Sequence, residues 1–326
     1  MARYRKGNGA VLAICIESSH ARGLGHLFRA LNLADALGRR GHAVRFIMND
    51  DVVSAGILKA RGHTPLTVDL ADTTSGWEVA LAAEHDFSMW VDDRLDTAHE
   101  HAAQVKAIGL PLVTFDDRGR GAALADLHVA ALAFGGAPLA GKKLLTGLDY
   151  LVLNPEIARY QRLRHAVGSL LVTLGGSDTH GATVKVVTAL AKKGLAATVV
   201  VGPGFAHRQA LDAALTDAFT VVASVPSMVE EMSRHDLAIT GGGITPFEAN
   251  AAGLPCMVVA NEDFEVPVGM ALARLGGAVF AGHHSAFDLS VLDGTPPIER
   301  MSQAGMRHVG LGGAAKVVAA MEGLIP

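Results

Sequence analysis

Short apolar runs alternate with amphipathic stretches along this chain, the pattern of parallel strands joined by crossover helices. Val11–Ile16 and Ala43–Met48 read as strands, and between them Leu27, Leu31, Ala34 and Leu37 fall on one helical face that Gly41 closes. Ser88–Val91 and Leu112–Phe115 read as further strands. From Asn154 to Arg164 the pattern turns polar and basic, and the domain crossover is expected there. It then starts afresh with a strand at Ser169–Leu174, a helix from near Ala182, and strands at Ala197–Val201, Thr220–Ala223, Leu237–Thr240 and Cys256–Val259. The expected class is α/β, with two doubly wound domains divided between 1–157 and 158–305.

Composition narrows this picture. A chain of 326 residues is too long for one ordinary core and suits two domains of about 150 residues. Half the residues are apolar and 37 are glycine, which fits a packed α/β enzyme better than a disordered chain. A net charge of −4 offers no electrostatic footing for nucleic acid or an anionic membrane. Cys15 and Cys256, the two cysteines, sit in apolar runs and are expected as inert core thiols in a reducing compartment. Met1–Lys6 is basic and an apolar run follows, but that run is too short for a signal peptide and Glu17 ends it. With no run near the roughly 20 apolar residues of a membrane span, a cytoplasmic protein is expected.

Two glycine turns carry the candidate chemistry. In the second half, Asp236 to Pro255 reads as a strand, three glycines and a short helix. Glycines Gly242 and Gly243 let backbone N–H groups approach an anion, and the helix start adds about half a positive charge. Thr245 suits the N-cap and Pro246 the first helical position, while Gly253 and Pro255 end the helix. Glu248 then has two readings: the acid of a Thr-x-x-Glu capping box, or the acceptor of two ribose hydroxyls. In the first half, Gly23-Leu-Gly25-His26 lies between the first strand and its helix, where open α/β sheets bind ligands. It lacks the third glycine of a dinucleotide fingerprint. His26 is either a helix-start residue bonded to a nearby carbonyl or a general base.

Taken in order, these motifs resemble a known family over almost the whole chain. They are Gly-Leu-Gly-His-Leu-Phe-Arg-Ala-Leu-Asn-Leu-Ala at 23–34, Val-Asp-Asp at 91–93, Phe-Asp-Asp at 115–117, Leu-Gly-Gly-Ser-Asp at 174–178 and Gly-Gly-x-Thr-x-x-Glu at 242–248. The segment ending Asn261-Glu262 follows. Together they resemble the UDP-diacetamido-trideoxy-altropyranose hydrolases of the pseudaminic-acid pathway, relatives of the MurG-like GT-B glycosyltransferases. The resemblance implies a GT-B fold, two Rossmann-like domains facing across a cleft, with 306–326 returning to the first domain. It also implies UDP on the second domain, with Gly242, Gly243 and Thr245 at the diphosphate, Glu248 at the ribose, and backbone near Val225 and Met228 at the uracil edge. His26 would activate water for inverting displacement of UDP at C1, chemistry that needs neither metal nor cofactor. Gly23, Gly25, Gly175, Gly176, Asn261 and Glu262 are the corresponding sugar-side candidates, with Asp92 and Arg94.

Departures from the family pattern gather at the reacting end. Arg94 stands where the family has Tyr; Cys15, Glu17, Ser18 and Ser19 replace an Arg-x-Asp-Ser-Ser loop; Glu262 replaces Gln; and Phe247 replaces Trp. Asp92-Asp93 and Asp116-Asp117 suit a metal less well than a structural role, because neighbours on a strand face opposite ways and strand-end Asp residues cap turns. If the strand continues, Asp92 and Arg94 share a face and are placed to orient sugar hydroxyls or amides. His283-His284 reads as a surface loop. Three function classes stay open: a nucleotide-sugar hydrolase serving flagellin or surface-glycan modification, a GT-B glycosyltransferase with a hydroxyl acceptor, and a sugar-nucleotide-binding protein without catalysis. The only expected partner is the UDP-sugar substrate, and the sequence is silent on oligomeric state.

Overall fold

A computed structural model describes residues 9–18, 23–136, 138–223 and 225–325. Met1–Lys6 and Ser19, discussed above, lie outside them. The chain divides into two compact units: the first holds the described residues up to Ser18, His26–Val152 and those from Gly312 on, and the second holds Gly23–Gly25 and Leu153–Leu311.

The first unit is built on a seven-stranded sheet of β1 (Val11–Ile16), β2 (Ala43–Met48), β3 (Leu66–Thr67), β4 (Met89–Asp93), β5 (Leu112–Phe115), β6 (Leu127–Ala130) and β7 (Leu144–Thr146). Their order is β3-β2-β1-β4-β5-β6-β7 and every pairing is parallel. Central strands β4 and β5 are buried throughout, as expected of a parallel sheet covered on both faces. Helix Gly25–Arg39 buries Leu27, Leu31, Ala34 and Leu37 as the periodicity predicts. Its end is a Schellman closure: the His42 N–H reaches Leu37 O at 3.1 Å, the Gly41 N–H reaches Gly38 O at 3.0 Å, and Gly41 sits at φ +87°.

The second unit repeats the plan with β8 (Leu170–Thr173), β9 (Ala197–Val201), β10 (Phe219–Ala223), β11 (Leu237–Thr240), β12 (Cys256–Ala260), β13 (Ala278–His283) and β14 (Ala286–Phe287). The order is β10-β9-β8-β11-β12-β13-β14, and only the β13–β14 pair is antiparallel. His283 therefore ends a strand, where a surface loop was expected. The sequence reading also passed over β3, β6, β7, β13 and β14, which are short or lie toward a sheet edge, where neighbours rather than an apolar run define them.

The polar stretch read as a crossover hides a structural anchor. Arg164 is fully buried in the second unit. Its guanidinium donates to the carbonyls of Arg162 at 2.8 Å, Met232 at 3.1 Å and His235 at 3.2 Å, and also to that of Ala252. Met232 lies in helix Met228–Ser233, and Ala252 caps helix Thr245–Ala251, so one cation gathers two helix C-termini. Burial, and Arg162 beside it, lower the Arg164 pKa to about 10. Among the described residues no helix is long and apolar enough to cross a membrane.

Candidate functional site

Each unit carries one constellation at the carboxyl ends of its strands. In the first unit, helix Gly25–Arg39 carries His26 at its second position, and β4 ends at Asp93. His26 Nδ1 lies 2.6 Å from Asp93 Oδ1, and the imidazole side chain is 11% exposed. Arg29, one helical turn on, donates to Asp93 through Nε at 2.9 Å and Nη2 at 2.5 Å. Its Nη1 reaches Asp116, whose other oxygen accepts the Leu132 N–H at 2.8 Å. Asp116 adopts φ +46°, a left-handed turn after β5 that carries its carboxylate to Arg29.

Electrostatics fix the charge states of this array. Burial penalises the Arg29 cation, but Asp93 and Asp116 outweigh that and raise its pKa. Burial likewise pushes Asp93 up, yet Arg29 and then His26 hold it near 2. Asp93 is thus an acceptor at neutral pH. By accepting from Nδ1–H it leaves the His26 Nε2 lone pair free to take a proton.

Asp92 and Arg94 lie apart from this array. Asp92 points to the opposite face of β4, where Trp90 Nε1 at 3.1 Å and His101 Nε2 at 3.0 Å bind it. Arg94 is buried, with Nη2 3.5 Å from Leu70 O and Nε 3.9 Å from Glu17. Asp117 accepts the Thr97 and Gly119 N–H groups, the turn-capping role expected of a strand-end Asp.

In the second unit the loops after β8, β11 and β12 converge. Gly175 takes φ +103°, and the Gly176 carbonyl accepts the Gly204 N–H at 2.9 Å. A Cβ on Gly202 would lie 2.3 Å from that carbonyl, so the approach requires glycine. Asn261 ties the loops together, donating Nδ2 to Leu174 O at 2.8 Å. The Gly242 N–H is bound by Glu265 Oε2 at 3.1 Å, and the same oxygen accepts the Asn261 N–H at 2.7 Å. Glu262 contacts His180 at 3.2 Å. Gly243 follows in the turn, and Thr245 begins the helix. Val225 and Met228 flank Ser227, which caps helix Met228–Ser233 by accepting the Glu230 N–H at 3.2 Å. On the first-half turn, Gly23 takes φ +73° and Gly25 opens its helix.

One expectation is corrected here. Helix Thr245–Ala251 is preceded by Ile244 at the cap with no side-chain capping bond, so Thr245 is its first residue and no capping box forms. The far end does follow the sequence: Leu254 N to Ala249 O at 2.8 Å, Gly253 N to Asn250 O at 2.9 Å and φ +75° at Gly253 make a Schellman closure. Freed of the capping role, the Glu248 carboxylate is bound by the Asn154 backbone N–H, and burial raises its pKa to about 7. A raised carboxyl pKa favours the folded state below the unfolded value of 4.5, and that advantage is lost as pH rises through 7. Glu248→Gln should therefore raise the melting temperature at pH 8 and leave it unchanged at pH 4. Because Glu248 keeps some solvent contact, the gain is on the order of 1–2 kcal/mol. Equal melting shifts at both pH values would contradict the burial argument.

Sequence reasoning missed Asp93 as the partner of His26, Arg29 and Asp116 that fix that carboxylate, and Glu265. The three-residue spacing of His26 and Arg29 was a readable signal, since both lie on one helical face. Nothing in the sequence places Glu265 on the Gly242 N–H.

No protein-family model matches the chain. It is 25% identical over 279 residues to an uncharacterized protein of Methanocaldococcus jannaschii, a match covering 78% of this chain and 56% of that protein. It is 27% identical over 149 residues to the spore coat polysaccharide biosynthesis protein SpsG of Bacillus subtilis, covering 43% of this chain and 44% of SpsG. The chain thus spans about half the length of the curated relatives it matches. Among solved structures, MurG of Acinetobacter baumannii aligns with TM-score 0.68 at 16% identity, over 96% of this chain and 99% of that one. S. aureus MnaA, solved with UDP, aligns with TM-score 0.64 at 13% identity over 96% of both chains. The likeness is one of fold: two α/β units of the GT-B kind, the fold class that the motif order implied.

Proposed function

We propose that this protein is a nucleotide-sugar enzyme. In this reading it releases UDP from a UDP-linked diacetamido-trideoxy hexose, by inverting attack of water at C1, for nonulosonic (pseudaminic-type) acid synthesis. The observation that carries the reading is His26 on Asp93, with Arg29 and Asp116 fixing the carboxylate. His26 Nε2 takes a proton from water as the water oxygen bonds to C1. The bond from C1 to the β-phosphate oxygen breaks, and UDP leaves with the electron pair. Asp93 stabilises the imidazolium until its proton passes to solvent.

Two comparisons favour a nucleotide sugar as substrate: SpsG is named for polysaccharide biosynthesis, and MnaA was solved with UDP. Backbone at Val225 and Met228 would receive the uracil edge, and the Glu248 carboxylate two ribose hydroxyls. Gly243, Thr245 and the helix start would stabilise charge on the leaving diphosphate, with Gly242 joining once its N–H leaves Glu265. Gly23, Gly25, Gly175, Gly176, Asn261 and Glu262 remain the sugar-side assignments, whereas Asp92 acts only from behind β4.

A glycosyltransferase reading is favoured by one observation, the exposed apolar residues Phe28, Val52 and Val53 of the first unit, suited to an apolar acceptor. Proton NMR of the protein with the UDP-diacetamido-trideoxy hexose and no acceptor separates the two. Free sugar of inverted anomeric configuration is the expected result. Intact substrate with UDP still bound would move the assignment to transfer, and absence of any nucleotide binding would end both.

A further inference from the structure

On the face of the first sheet opposite His26, four chemically active side chains meet out of contact with solvent. Strand register sets Cys15 of β1 beside Asp92 of β4. Helix His99–Ala107 brings His101 against them, and helix Trp77–His85 brings Glu78. His101 Nε2 lies 3.0 and 3.1 Å from the Asp92 oxygens, and its Nδ1 lies 2.7 Å from Glu78. One ligand atom each from Cys15, Asp92 and His101 lies within 4.8 Å of the other two. Trp77 stacks on the imidazole at 5.2 Å, and Trp90 packs edge-on at 5.7 Å. Cys15 and Asp92 are fully buried, Glu78 and His101 nearly so. Burying this many ionisable groups is costly, and the His26 chemistry does not use them.

We propose that Cys15, Asp92 and His101 form a site for a divalent transition metal of the zinc class, with Glu78 orienting the histidine. The donor set is one thiolate, one imidazole and one carboxylate, a combination that zinc-class ions accept. A carboxylate on the far nitrogen of a ligating histidine is the usual support for such a site, and Glu78 occupies that place. Bonds of about 2.0–2.1 Å in a tetrahedron put neighbouring N and O ligands about 3.3 Å apart, a few tenths beyond the His101–Asp92 separation.

The charge accounting closes as well. With no metal, both His101 nitrogens face carboxylate oxygens, which accept rather than donate, so each nitrogen carries a proton, and buried Cys15 is a thiol. When the metal binds, the Cys15 S–H and the His101 Nε2–H are replaced by bonds to the ion. Two protons leave as one dication arrives, so the net charge of the cluster is unchanged and Arg94 nearby still balances it. The ion would pin β1 to β4 one residue before Asp93.

The test is refolding of the full chain from chelator-stripped protein with one equivalent of Co²⁺, since a buried site takes up metal most readily as the unit folds. The expected result is one cobalt per chain, a thiolate-to-cobalt charge-transfer band, release of about two protons in a dye assay, and a higher melting temperature. Cys15→Ser should fold, lose the band and bind cobalt at least about tenfold more weakly. His101→Gln should lose the cobalt altogether. A stripped, folded wild type that takes up no cobalt or zinc would overturn the site, as would cobalt bound without a thiolate band and retained by Cys15→Ser.

Discussion

His26→Ala should lower turnover of the UDP-sugar roughly 10²- to 10⁴-fold while UDP affinity stays unchanged, because the imidazole serves proton transfer rather than nucleotide binding. The loss should appear in kcat with KM little altered. Asp93→Asn provides the sharper arm. The amide can present N–H to His26 Nδ1, which favours the tautomer with its proton on Nε2, where the base must be free. Turnover should then fall by a similar factor although the ring stays in place. Because the same change removes the Arg29 partner at 2.5 Å, the melting temperature should also drop, and kinetics belong below that transition. Near-normal kcat in folded His26→Ala would remove the base assignment. A fall in UDP affinity equal to the fall in kcat would make His26 a binding residue.

Arg164→Met should destabilise the second unit by roughly 3–5 kcal/mol, the scale of removing a buried charged hydrogen-bond donor and stranding its acceptors. Methionine replaces much of the stem but leaves the Arg162, Met232, His235 and Ala252 carbonyls without that donor. For a unit of this size the melting temperature should fall by about 10 °C or more. Arg162→Ala is the control: Arg162 also bonds Ser233 O and His235 O, but its side chain is 40% exposed, and water replaces what it loses. Hydrogen exchange should show the Arg164→Met loss concentrated in helices Met228–Ser233 and Thr245–Ala251. Equal losses in the two variants would mean that the buried guanidinium contributes no more than a surface one.

The two predictions show where sequence reading stops. His26 was legible because its chemistry is carried by a local motif, a glycine turn feeding a helix. The carboxylates around it were not, because Asp93, which holds His26, and Asp116, which holds Arg29, come from the ends of separate strands and Asp116 relies on a left-handed backbone. Arg164 was read only as part of a polar crossover: a single sequence shows the charge but not the four carbonyls around it. Thr245 and Glu248 show the opposite error. Their spacing fits a capping box, yet the chain enters that helix through Ile244 in helical geometry, and Asn154 takes the carboxylate instead. The missed strands β6 and β7 share that cause, since pairing to β5 and to one another makes them strands.

By itself the sequence determined two repeated α/β units, most of their central strands, the face of helix Gly25–Arg39, the start of helix Ala182–Lys192, and the places where glycines lie between strands and helices. Those features follow from periodicity and backbone freedom, which act over a few residues and are written locally. Tertiary structure alone decided which carboxylate holds His26, that Glu265 binds the Gly242 N–H, that Arg164 is a core cation, and that Cys15 meets Asp92 and His101. Each of these depends on the tertiary fold, which brings together residues up to 88 positions apart in the case of Arg164 and Ala252.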